Sequence, residues 1–240
     1  MNSIVAEKSY ISAKLGIPYE NLSQSELRAE TLLASSSSIT FNLQKSKKAA
    51  PYATEKLLEL NDSFVITHYT VKLKQVYSAN ATVDNATAAN HGLATLYNYE
   101  NEYVFSNGTG LNTGTNSANV KAIWNGQLTI TIDRKVFIPA FPVLAFRRVP
   151  TSQQGAFLKA TGGATATFGT NTGIDEVDNG LFGYYNSEPT LINGRQTINS
   201  QIDLPTAYTF SGDTVTSGGA AINNYAVLLC RGYLLVNSAD

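Results

Sequence analysis

From Ile39 onward the apolar residues of this chain fall at alternating positions. "ITFNLQ" sets Ile39, Phe41 and Leu43 against Thr40, Asn42 and Gln44, the two-residue period of a half-buried strand. "SFVITHYTVKLKQVY" keeps that period, with Tyr69, Val71 and Leu73 on one face and Thr70, Lys72 and Lys74 on the other. "NGQLTITID" opens on an Asn-Gly turn signal and sets Leu128, Ile130 and Ile132 against Thr129, Thr131 and Asp133. "NGRQTINSQIDLP" repeats the Asn-Gly opening, and both read as hairpin turns. In "LTITIDRKVFIPAFPVLAFRRVP" the pattern predicts a strand over 128–138. Pro139 and Pro142 break its ladder, because proline has no N–H to donate, and a second extended segment follows. The closing run "NYAVLLCRGYLLVN" is apolar on both faces, which predicts a strand in the middle of a sheet or under a partner. Arg231 interrupts it and calls for a carboxylate or several carbonyls, because an unpaired buried charge costs several kcal/mol.

The first residues differ in character. "VAEKSYISAKLG" and "SQSELRAETLLAS" are rich in Ala, Leu, Glu, Lys and Arg and predict two helical pieces. Gly16 and Pro18 mark a stop between them, and Ser23 with Glu26 offers a capping box for the second. Between the predicted strands, 78–90, 106–118 and 161–180 are polar connections rich in Asn, Gly, Thr and Ser. They are far longer than ordinary hairpin loops. The sum is a mainly β protein: a partly helical N-terminal arm over 1–37 and an antiparallel β-sandwich, single or compact double, over 38–240.

Composition sharpens this picture. Charged residues make up 15% of the 240 and the formal net charge is −1, so no global basic field announces nucleic acid. Between Tyr103 and Ile174, however, the only acid is Asp133, against Lys121, Arg134, Lys135, Arg147, Arg148 and Lys159. A surface of neutral polar side chains is cheap to desolvate and suits a protein that packs against copies of itself. The single cysteine, Cys230, rules out an internal disulfide framework and reads as an inert core thiol among aliphatics. No apolar run reaches membrane-spanning length, which predicts no membrane span.

Material for catalysis is thin. His68 lies inside a strand and His91 ends a polar loop, too far apart in sequence to suggest a metal site. Asp175, Glu176 and Asp178 form an acidic turn; a calcium site there is the sharper alternative, though the spacing does not match an EF-hand. Asp133 and Asp203 each end a strand near a proline and are the only pair to weigh as glycosidase carboxylates. Phe182, Tyr184 and Tyr185 in "GLFGYYNSEP" offer a sugar platform, against the plainer reading of apolar strand positions. The expectation is therefore no enzyme and no cofactor.

"LLELNDSFVITHYTVKLKQV", "LTITIDRKVFIPAFPVLAFRRVP" and "LLCRGYLLVN", in a chain with a polar arm and long Asn/Gly/Thr loops, resemble jelly-roll capsid proteins of bacterial viruses. The resemblance implies a virion structural protein, made in the host cytoplasm, whose copies form oligomeric capsomers of an icosahedral shell. Its implied partners are copies of itself, other virion proteins and, without sequence reading, packaged nucleic acid. On this reading Arg134, Lys135, Arg147, Arg148 and Arg231 sit at rims of subunit contacts, where charge sets register. Any phosphate contact would fall to Arg147 and Arg148 or to the small cluster Lys45, Lys47 and Lys48. The alternative of another class is a carbohydrate- or receptor-binding sandwich of the fibre, spike or adhesin kind, built on Phe182, Tyr184 and Tyr185.

Overall fold

The computed structural model describes residues 3–34, 36–77, 96–100, 120–148, 183–208, 214–215 and 220–238. Helix α1 covers Ser3–Leu15, and the strands are β1 Ser23–Leu32, β2 Ser36–Phe41, β3 Ser63–Tyr77, β4 Leu96–Tyr97, β5 Gln127–Ile132, β6 Lys135–Pro142, β7 Tyr185–Asn193, β8 Ile198–Tyr208, β9 Thr214–Val215 and β10 Ala220–Leu235. The first sheet runs β1-β10-β3, with β7 and the short β4 both on the far side of β3. The second runs β2-β8-β5-β6, and every pairing in both sheets is antiparallel. Among the described residues, and without the two-residue strands, the orders β1-β10-β3-β7 and β2-β8-β5-β6 interleave along the chain as an eight-stranded jelly roll.

The core lies between the sheets. Leu27, Ala29, Phe64, Ile66, Tyr69, Val71, Leu228 and Cys230 come from the first; Ile39, Phe41, Leu128, Ile130 and Ile202 come from the second. The closing strand β10 is central as its two apolar faces require, held between β1 and β3. Burial pushes the Cys230 thiol up to about 12, so it stays protonated and inert. In β3 the inward set shifts phase from Phe64 and Ile66 to Tyr69 and Val71. The shift arises because Arg231 pairs with His68 while Gly232 pairs with Ile66, which leaves Thr67 as an extra residue.

Several expectations need correction. The second helical piece is strand β1, paired over its whole length with β10, so there is no capping box at Ser23. Helix propensity lost to tertiary pairing there, and "SELRAETL" carries the evidence: Leu27 and Ala29 face inward while Glu26, Arg28 and Glu30 do not. Residues 128–138 are a hairpin rather than one strand. Asp133 (φ 47°) and Arg134 (φ 69°) form its two-residue left-handed turn, and Asp133 is tied to Thr197 through both its N–H and its carboxylate. The segment after Pro142 is a 3-10 turn over Val143–Phe146, and Asn125-Gly126 closes another 3-10 turn instead of opening a hairpin. Asn193-Gly194 carries the chain from β7 in the first sheet to β8 in the second, so it too opens no hairpin.

Arginine is strained in that β5–β6 turn, because its Cβ crowds the backbone at positive φ. Arg134→Gly is therefore expected to raise stability by about 1 kcal/mol, read as a higher denaturation midpoint in urea at unchanged slope.

Helix α1 ends at Gly16 (φ 70°), whose N–H bonds the Ser12 carbonyl, just before Pro18. It lies on the outer face of the first sheet. Ile11, with Ile17 and Leu22, packs on Val65, Tyr233 and Leu235, and the Tyr233 hydroxyl donates to Glu7 at 3.0 Å. The arm thus docks on its own sandwich.

Candidate functional site

The outer face of the first sheet carries charged and polar side chains on all four of its longer strands. Register places Glu26, Arg231, His68 and Asn186 in one row across β1, β10, β3 and β7. A row that is polar on all four strands cannot be sealed by apolar cover, so Arg231 is not the buried cation expected of it. Its side chain is 44% exposed, stands 3.9 Å from Glu26, and lies 4.0 Å from the centre of the Tyr184 ring. Lys72 comes within 5.6 Å of the same ring, and burial, then the neighbouring Arg231 charge, pushes its amine down to about 8. Burial likewise lifts the Tyr184 phenol to about 12.

Along the same face, sequence reasoning missed a buried ionic network. Glu30 accepts from Lys74 at 2.6 Å, from Arg28 at 2.7 Å and from Thr54 at 2.7 Å; Glu55 accepts from Lys48 at 2.7 Å and from the Glu30 N–H at 2.7 Å. The Glu30 and Glu55 side chains are both fully buried. Burial alone would raise the Glu30 carboxyl, but the bonds from Lys74 and Thr54 and the Arg28 charge outweigh it and hold it below the usual carboxylate value. Lys56 pairs with Arg28 outside β1 and fastens the segment carrying Thr54 and Glu55 to that edge. The signal was in the sequence only after β1 is read as a strand: Glu30 then comes level with Lys72 through β10, next to Lys74 on the same face of β3.

The other sequence candidates lie apart from one another. Arg134 and Lys135 are exposed at the β5–β6 turn. Arg147 turns inward and grips Glu100 through Nε at 2.9 Å and Nη2 at 2.5 Å, and Trp124 Nε1–H donates to the same carboxylate at 2.8 Å. Arg148 is exposed, its N–H on the Asn98 carbonyl. Lys45 is paired with Glu59 and Lys48 with Glu55, so the small lysine cluster is largely committed within the chain. Tyr184 and Tyr185 do not form one flat platform. Tyr184 sits among cations, whereas Tyr185, 46% exposed, stands 4.5 Å from Phe141 at 62°. Phe182, His91, Asp175, Glu176 and Asp178 lie outside the described residues.

Asp133 and Asp203 cannot act as a pair. They stand at opposite ends of β5, since Asp203 pairs with Gln127 and Asp133 follows Ile132. That separation is about 20 Å, well beyond the reach of two glycosidase carboxylates. Among the described residues no group of three His, Cys, Asp or Glu side chains is placed to hold a metal ion, and no helix is long and apolar enough to cross a membrane.

Trp124 is the chain's single tryptophan, so its emission reports on the Glu100 site alone. Burial raises the Glu100 carboxyl, but the bonds from Arg147 and Trp124 more than offset this and hold it below its usual value of 4.5. Emission is expected to stay constant above that pH and to change as acid protonates Glu100. Arg147→Met, which leaves the carboxylate buried without its main partner, is expected to shift the emission at neutral pH and to cost about 3 kcal/mol.

No family model matches the chain, and no curated protein or solved structure matches it either.

Proposed function

We propose that this chain is a structural subunit whose copies assemble into a closed shell, a capsid protein of a bacterial virus. One combination of features supports the reading. The fold is a jelly roll, an architecture that serves viral shells as well as lectins and cupins. Several of its charges pair within the chain, while large apolar side chains stand exposed: Ile4, Val5 and Tyr10 on α1, Val136 and Leu144 along the β6 side, and Val236 after β10. On this reading these side chains supply the apolar part of the subunit contacts, which copies of one chain use repeatedly by symmetry.

The sheet edges favour contact through faces and rims over the addition of strands. Edge strand β6 carries Pro139, Pro142 and the left-handed Ala140 (φ 43°), β7 carries Pro189, and the β1 edge is occupied by Lys56. Arg134, Lys135 and Arg148 are exposed beside apolar surface and would set register at such contacts.

Light scattering after size exclusion tests this. The full chain is expected to elute as a homo-oligomer or larger assembly, with the oligomer reduced by Leu144→Glu at unchanged fold. A monomer across a wide range of concentration and salt would overturn the reading.

A further inference from the structure

Where edge strand β6 of one sheet meets edge strand β7 of the other, a hollow of about 270 Å³ opens, walled by Phe137, Pro139, Phe141 and Tyr69 and by Ser187 and Glu188. Its walls are aromatic, but its polar groups are not all satisfied. The Ser187 hydroxyl oxygen is buried and has no hydrogen-bond partner, which is unusual for a native interior. Thr190, also on the wall, uses its hydroxyl on the Glu188 carbonyl at 3.0 Å. The Glu188 carboxylate faces solvent, 3.4 Å from Lys14 of α1, so the mouth carries a balanced charge.

We propose that this hollow is a binding site for one ring of a neutral sugar. A pyranose presents an apolar C–H face and a rim of hydroxyls, which matches aromatic walls beside an unsatisfied hydroxyl and an accessible carboxylate. The volume lies just under the roughly 300 Å³ at which pockets for larger ligands begin, the scale of a single ring. Other occupants fit less well. An anion would find no cation on the wall, and Lys14 at the mouth is already paired with Glu188; an apolar side chain from another copy would leave Ser187 unsatisfied; an extended peptide would find Pro139 and Pro189 where a strand needs N–H donors. This inference does not rest on shell assembly and holds for monomer or oligomer alike.

Ligand-observed NMR titration of the full chain tests it, with glucose, galactose, mannose and N-acetylglucosamine as probes and choline as a cationic comparison. At least one sugar is expected to bind saturably, with a dissociation constant on the order of 1 mM. Ser187→Ala, which removes one buried unpartnered oxygen, is expected to weaken binding several-fold without lowering the unfolding temperature, and Phe137→Ala to weaken it at least tenfold. Absence of binding by all four sugars would overturn the proposal. So would sugar binding indifferent to both substitutions, or binding of choline alone. If no sugar binds and Phe137→Ala instead dissolves an oligomer, the hollow is a subunit contact and the sugar site is refuted.

Discussion

Glu30→Ala is expected to lower the stability of the folded chain by about 3–5 kcal/mol. The substitution removes the carboxylate on which Lys74 and Arg28 converge and leaves two cations in a region where Lys74 is only 6% exposed. Nothing else in the network can take the place of Glu30, because Glu55 already holds Lys48 and the Glu30 backbone. The effect is separable from packing by a second variant. Glu30→Leu combined with Lys74→Met and Arg28→Met removes all three charges and is expected to recover most of the loss, since buried ion pairs contribute little over apolar replacements. The folded-state carboxyl sits below its ordinary value of 4.5, so its stabilisation is fully present above that pH and fades as pH falls through the lower folded value. Urea midpoints measured from neutral pH to pH 3 should therefore fall below about pH 4.5 in the parent chain. In Glu30→Ala that part of the fall should be missing.

Gly232→Ala is expected to be the most damaging single methyl group on the central strand. A Cβ at this position would stand 1.7 Å from the Val65 carbonyl oxygen and 2.9 Å from its carbon. Neither side can move away, since β10 is paired on both edges and Val65 is fully buried against α1's socket. Gly232 also stands where the β10–β3 register shifts, so displacement there would disturb Thr67 and the phase change that keeps Phe64 and Tyr69 both in the core. A loss of about 3 kcal/mol or more is expected, seen as a lower thermal midpoint or as failure to accumulate soluble protein.

How much of this was legible depends on what kind of information each feature needs. Strands β2, β3, β5 and β10 announced themselves through two-residue periodicity, and the double apolar face of β10 foretold its central place. β1 was misread because Glu, Leu, Arg and Ala favour a helix locally. Its strand state is set by partners two hundred residues away in β10, which no local propensity contains. The hairpin at Asp133-Arg134 was hidden because Arg is an uncommon residue at positive φ. The Arg147 pair and the Glu30 network depend on Glu100, Lys74 and Thr54 coming together from distant segments. The isolated charges of "IDRK" and "FRRV" therefore have different roles. Asp133 fastens a turn, Arg147 secures Glu100, and Arg134, Lys135 and Arg148 remain exposed.

Electron microscopy of the purified, concentrated full chain tests the central claim most directly. The account predicts closed particles of uniform diameter, or rings and small capsomers that close into such particles as concentration rises. A field of dispersed monomers at every concentration and ionic strength, from protein shown to be folded by its Trp124 emission, would contradict it.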